Sequence, residues 1–141
     1  MAALIIAIGN PMRHDDGVAH RVEIPRNVAR RAVLQLTPEI AAEVAHYETV
    51  VFVDADVSAK EVRIGPVDTA PSPGLLALLL AHVCRPAEIV AIARALFGFS
   101  GHAYTCHIPV SDLSEGEGLS RSASQFSQQA SRAIDGLITA I

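Results

Sequence analysis

Short runs of aliphatic residues alternate along the chain with segments of mixed polarity. Two of these runs, Ala3–Ile8 and Thr49–Val53, are almost entirely apolar and rich in β-branched side chains. Runs of this kind are typical of strands that are buried on both faces of a parallel sheet. Weaker patterns predict three further strands, of which the second fits an edge position: Ala32–Leu36, Lys60–Ile64 and Tyr104–Val110.

The segments between these strands carry helix signals. The sequence at Thr37–Glu39 predicts an N-cap followed by proline at the first helical position. Pro86 opens the clearest helix, which Gly98 is expected to end, and the apolar run Leu75–Val83 predicts a short buried helix. Ser120 is expected to cap a final helix, whose apolar stripe is Phe126, Ala130, Ala133, Leu137, Ile138 and Ile141.

Alternating strands and helices predict a three-layer α/β/α fold with a mostly parallel sheet of roughly five strands. The length fits one domain over residues 1–141. In such sheets ligands bind beyond the carboxyl ends of the strands. This rule singles out two segments, Gly9–Gly17 and Asp54–Asp56.

Acidic residues stand out in both of these segments. Asp15 and Asp16 follow the first predicted strand, and Asp54 follows the third. If the two strands are neighbours, the carboxylates meet at one rim, where a bound cation would relieve their repulsion. The alternative is structural, because aspartate often caps helices and turns.

Composition narrows the class of partner. Half of the 141 residues are hydrophobic, and 11 basic against 15 acidic residues give a net charge of −4. Nucleic acids and anionic membranes attract basic surfaces, so neither is expected as a partner. No basic segment precedes the apolar run Ala2–Ile8, which predicts a cytoplasmic protein. Cys84 and Cys106 are then expected to be reduced thiols.

Several well-known motifs are absent from the sequence. It contains no H-E-x-x-H zinc motif, no G-x-S-x-G nucleophile elbow, no P-loop and no G-x-G-x-x-G fingerprint. A phospho-accepting receiver domain is similar in length and alternation. Its acids, however, directly follow the first strand, and it needs a lysine after the last strand. Lys60 is the only lysine here, which disfavours this class.

One segment resembles a known family. Gly9–Val18, with the sequence Gly-Asn-Pro-Met-Arg-His-Asp-Asp-Gly-Val, is similar to the N-terminal signature of the [NiFe]-hydrogenase maturation proteases. Together with this segment, weaker matches in the family's order span nearly the whole chain: Leu34–Glu39, Val50–Ala55, His82 with Arg85–Glu88, and Gly116–Ser120.

The resemblance implies an endopeptidase that removes the C-terminal extension of a hydrogenase large-subunit precursor after nickel insertion. Nickel bound in the substrate would be the recognition element, so no tightly bound metal is expected in the protein itself. The resemblance assigns both metal contact and catalysis to Asp16, Asp54 and His82. Two carboxylates and an imidazole suit nickel or zinc, and three protein ligands leave coordination positions open. Asp15 and Asp54 both remain candidates for activating water.

The sequence also departs from the family pattern. Ala81 and Arg85 stand where the family has serines around the histidine, and arginine cannot cap a helix N-terminus as serine does. Pro25 shortens what is usually a longer helix. The alternative hypothesis is therefore a non-catalytic nickel-checking chaperone of hydrogenase assembly on the same fold. We expect a monomer in either case.

Overall fold

A computed structural model describes residues 2–68, 74–81 and 83–140. Within this part of the chain there are five strands: β1 (Ala3–Ile8), β2 (Ala29–Val33), β3 (Thr49–Asp56), β4 (Arg63–Pro66) and β5 (His102–Pro109). The same residues contain a 3₁₀ helix and four α-helices: 3₁₀ (His14–Arg21), α1 (Ile40–Val44), α2 (Leu75–Leu80), α3 (Pro86–Phe97) and α4 (Arg121–Ala140).

The strands form a sheet in the order β2-β1-β3-β5-β4. Strands β2, β1, β3 and β5 run parallel, and the edge strand β4 is antiparallel to β5. Helices cover both faces, so the predicted three-layer α/β/α fold is confirmed. The edge position predicted for the fourth strand is also confirmed, although the strand begins at Arg63 rather than Lys60.

Alternate residues of the central strands supply two separate cores. Leu4, Ile6 and Phe52 pack against α1 and α3 on one side of the sheet, which we call the front face. Ile5 and Val51 pack on the other side, the back face, against the 3₁₀ helix and α4. This alternation follows from the period of two along a strand, and it decides which face each later strand residue presents.

The predicted boundaries of the second strand and of the following helix were wrong. Strand β2 begins at Ala29 because an edge strand can hold polar residues: Arg31 is exposed and pairs with Glu43 at 2.8 Å. Helix α1 begins only at Ile40, with no side-chain cap. Thr37 instead accepts the Ile40 N–H through its backbone carbonyl, as part of a turn.

The Leu75–Val83 segment was predicted to form a buried helix. A helix is observed over Leu75–Leu80, but most of it is not buried. Leu78 is buried, whereas Leu76 and Leu80 are 71% and 70% exposed. A continuous apolar run gives no periodicity from which a buried side can be separated from an exposed one. His82 lies outside the described residues, as does Ile141 at the end of the predicted stripe of α4.

The two long helices follow their signals more closely. Gly98 ends α3 in the left-handed conformation, with φ of 71°. The Ser120 hydroxyl accepts the Ala123 N–H at 3.2 Å, which confirms the predicted cap of α4. The largest fully buried side chain of α4 is nevertheless Ile134, which the predicted stripe omitted. In the described part of the chain no helix is long and apolar enough to cross a membrane.

This packing of α4 predicts a graded loss of stability. Ile134 is fully buried and Ile138 is only partly buried. Ile134→Ala is expected to lower the free energy of unfolding by about 2–5 kcal/mol, because it leaves a cavity. Ile138→Ala is expected to cost less. Urea unfolding of both variants measures the difference, and equal losses would contradict this register of α4.

Candidate functional site

The carboxyl ends of β1 and β3 lie side by side. Ile8 and Asp54 are register partners across these strands. Strand β3 continues past its predicted end at Val53, so Asp54 is part of the strand. Since Phe52 packs on the front face, Asp54, two residues later, presents its side chain on that face too. Asp54 is partly exposed there.

Asp16 reaches the same place from the 3₁₀ helix. Its Oδ2 accepts the Asn10 N–H at 2.8 Å. Gly9, directly after β1, has φ of +142°, and a Cβ on it would lie 1.9 Å from the Asp16 carbonyl oxygen. Only glycine permits this approach. The Asp16 carboxyl therefore lies beside the end of β1, one strand away from Asp54.

Electrostatics at this edge are unfavourable to two ionised acids. Burial raises the pKa of Asp54 to about 6. A hydrogen bond from the Ala55 N–H lowers this pKa, whereas the negative charges of Asp16 and Asp56 raise it further. No cationic side chain of the described residues lowers this pKa. A divalent cation would supply the missing positive charge. Carboxylate oxygens of this kind can serve as ligands of a divalent cation.

Asp15 points away from this pair and is fully buried. Its carboxylate accepts the N–H groups of Ser111 and Asp112 at 3.1 Å, and both the N–H and the hydroxyl of Ser120 at 2.8 Å. Burial alone would raise the pKa of Asp15, but these hydrogen bonds outweigh it and hold the pKa below its usual value. The carboxylate is occupied by protein donors, which fits a structural role.

Two of the segments that resemble the protease family, Gly9–Val18 and Gly116–Ser120, contact each other beside the acids. The His14 N–H donates to the Gly116 carbonyl at 2.8 Å, and His14 Nδ1 donates to the Gly118 carbonyl at 3.0 Å. The Gly116 N–H returns a bond to the Met12 carbonyl at 2.8 Å. Segments separated by about a hundred residues in sequence thus form one loop pair behind Asp16.

His82, the third predicted site residue, lies outside the described residues, so its position relative to the acids stays a prediction. The chain is fixed on its far side, where the Cys84 N–H donates to the Leu36 carbonyl at 2.9 Å. At the start of α3 the Arg85 N–H donates to the Glu88 carboxylate at 2.8 Å. Glu88 thereby satisfies the backbone N–H of the N-cap residue, which is one half of a capping box. Among the described residues no group of three or more metal-binding side chains is found.

His107 was missed by the sequence analysis. It is the register partner of Asp54 on β5, and its Nδ1 lies 3.5 Å from Asp56 Oδ2. The alternation of apolar and polar residues along β5 could have indicated its orientation. Cys106 and Ile108 face the back core, so His107 between them faces the front. Its position beside Asp54 required the strand order.

The two cysteines do not add a nucleophile to the site. Burial raises the pKa of the Cys106 thiol to about 12. Burial also raises the pKa of Cys84, and the charges of Glu88 and Glu39 raise it further. Because only the thiolate is an effective nucleophile, neither thiol is activated.

The raised pKa of Asp54 predicts a pH-dependent effect of Asp54→Asn. Since this pKa is about 6 in the fold and 3.8 ordinarily, the stabilisation by protonated Asp54 is present below about pH 4 and lost as pH rises through about 6. The variant should therefore be more stable than the wild type by about 1–3 kcal/mol at about pH 8. The gain should shrink towards about pH 4. Urea unfolding at both pH values measures it, and Asp135→Asn, at an exposed position, controls for net charge. A gain independent of pH would contradict the assignment.

The bonds of Asp15 predict a large loss for Asp15→Asn. An amide presents its NH₂ group to donors that need an acceptor, so the variant should lose about 3 kcal/mol or more of stability. Ser111→Ala, which removes only a long hydroxyl contact of 3.4 Å, should lose far less. Thermal unfolding compares the two. An Asp15→Asn protein as stable as the wild type would show that the carboxylate does not hold the loops together.

Comparison with known proteins places the fold. No protein-family model and no curated protein matches the sequence. Solved structures do match: the hydrogenase-maturating endopeptidase HybD of E. coli has 15% identity and a TM-score of 0.67, with 99% of this chain and 93% of that chain covered. The hydrogenase 2 maturation peptidase of Thaumarchaeota archaeon SCGC_AB-539-E09 has 17% identity and a TM-score of 0.66, with 98% of each chain covered. The [NiFe] hydrogenase maturation protease HycI of Thermococcus kodakarensis has 14% identity and a TM-score of 0.69, with 97% of this chain and 92% of that chain covered. Over nearly its whole length, this chain has the fold of hydrogenase maturation endopeptidases.

Proposed function

We propose that this protein is an endopeptidase of hydrogenase maturation. It removes the C-terminal extension of a [NiFe]-hydrogenase large-subunit precursor after nickel has been inserted. The observation that carries the proposal is the pair Asp16 and Asp54 at the carboxyl edge of the sheet, on a fold that the maturation endopeptidases share. We place this activity in the cytoplasm and assign it to a monomer.

Nickel belongs to the substrate in this proposal. Asp16 would contact the ion from the 3₁₀ helix and Asp54 from β3, and His82 would approach from the segment before α3. Carboxylates and imidazole are ligands that suit nickel, and three protein ligands leave positions for groups of the substrate. The unrelieved charge at Asp54 supports this, because a precursor that brings a cation is favoured over one that lacks it.

The two candidates for accepting a proton from water differ in their surroundings. Asp15 is buried and its oxygens accept hydrogen bonds from the loops, so it positions the 3₁₀ helix that carries Asp16. Asp54 is partly exposed, so of the two carboxylates it is the one that a water molecule can reach. We assign proton acceptance to Asp54. A metal ion at such a site polarises a carbonyl or lowers the pKa of bound water.

The test is the intact mass of the precursor. A nickel-loaded large-subunit precursor from the same organism should lose a discrete C-terminal peptide on incubation with this protein, and a nickel-free precursor should stay uncut. Asp16→Asn and Asp54→Asn should abolish this cleavage with the fold retained, since each removes a metal contact. His82→Ala should weaken nickel binding in a direct titration.

Asp135→Asn, on the exposed side of α4, is the matched control and should cut normally. Full activity in Asp16→Asn or Asp54→Asn would contradict the assignment of the site. A precursor that binds but is never cut would favour a nickel-checking chaperone over a protease.

A further inference from the structure

A cavity of about 420 Å³ opens on the front face of the sheet, and neither Asp16 nor Asp54 lines it. Gly65 of β4 and Thr105 and His107 of β5 line the sheet side of it, and the start of α3 at Arg85–Ala87 forms the opposite wall. Its volume falls in the range of ligand-binding pockets. None of the functions assigned above uses it.

The cavity is connected to Asp54 by a row of register partners. Asp54 pairs with His107, and His107 pairs in turn with Arg63 of the edge strand. Neighbouring strands lie about 4.8 Å apart, so the cavity begins one strand from Asp54 and ends two strands away. A chain whose reacting bond lies at Asp54 can therefore continue into it.

The charges on its walls favour an anion. Arg63 and Arg85 line the cavity, and Asp68 is the one acid among the described residues that line it. Arg63 has no ion pair within the described residues, and the Arg85 side chain is 71% exposed with Glu88 at 3.4 Å. Guanidinium groups bind carboxylates in a paired geometry that other cations do not match.

Gly65 keeps the cavity open. A Cβ at this position would meet no atom of the described residues within 4 Å, so it would project into the cavity. Glycine inside a strand weakens it and often marks a place where another backbone approaches closely. A side chain here would occupy the volume that a bound chain needs.

We propose that this cavity is a peptide subsite, which binds an extended segment bearing a carboxylate next to the bond that is cut. The proposal rests on the proposed function for the identity of that segment as part of the precursor. The binding itself is independent of cleavage, so the two can fail separately.

The first test measures binding without cleavage. A short fluorescein-labelled peptide with glutamates among valines and threonines is compared with its lysine counterpart by fluorescence anisotropy. The acidic peptide should bind at least about tenfold more tightly, which equals about 1.4 kcal/mol. Gly65→Leu and Arg63→Glu should each reduce its affinity by about tenfold or more.

Gly136→Leu on α4 is the matched control, because a Cβ there also meets no described atom within 4 Å, and it should bind like the wild type. Arg63→Glu changes an exposed side chain, so it stays informative if Gly65→Leu does not fold. Equal affinity for both peptides, or undiminished binding by folded Gly65→Leu, overturns the subsite.

The precursor assay separates the two proposals. Slower cleavage by Gly65→Leu and Arg63→Glu, but not by Gly136→Leu, supports the subsite. Cleavage at the wild-type rate by both variants overturns it. A wild-type protein that binds the acidic peptide and never cuts the precursor refutes the proposed function and leaves the peptide subsite in place.

Discussion

The buried carboxylate of Asp15 is the interaction on which the candidate site depends. It accepts hydrogen bonds from the loop after β5 and from Ser120 at the start of α4. A buried charge is tolerated only when its hydrogen-bonding capacity is filled. Since Asp15 lies in the first turn of the 3₁₀ helix, these bonds hold that helix against the sheet. Asp16, the next residue, is thereby presented at the end of β1.

Two acids of the candidate site, Asp15 and Asp54, thus have opposite environments. Asp15 is satisfied by protein donors and its pKa is held below the usual range. Across the sheet edge, burial and neighbouring acids raise the pKa of Asp54. The fold uses one carboxylate to build the edge and leaves the others without a cationic partner in the described residues. An edge arranged in this way costs stability in the free protein, which a cation brought by a substrate would restore.

Much of the fold could be predicted from particular patterns. The run Ala3–Ile8 gave its strand without error, and Gly98 and Ser120 marked helix ends because their local chemistry needs no tertiary partner. The predicted positions of the second strand and of α1 were displaced along the chain, since an edge strand that contains arginines has no continuous apolar pattern to mark it. For α2, an uninterrupted apolar run identified a helix but not its exposed side, which depends on what packs against it.

The sequence alone determined the layered fold, the acids at the strand ends and the segments that resemble the maturation proteases, because strand periodicity and local turn chemistry are written in neighbouring residues. Only the tertiary structure decided which acid is buried and which faces the front of the sheet. It also decided that His107 and Arg63 are the register partners that lie next to Asp54 across β5 and β4. These relations depend on strand order and on contacts between segments about a hundred residues apart, which no local pattern encodes.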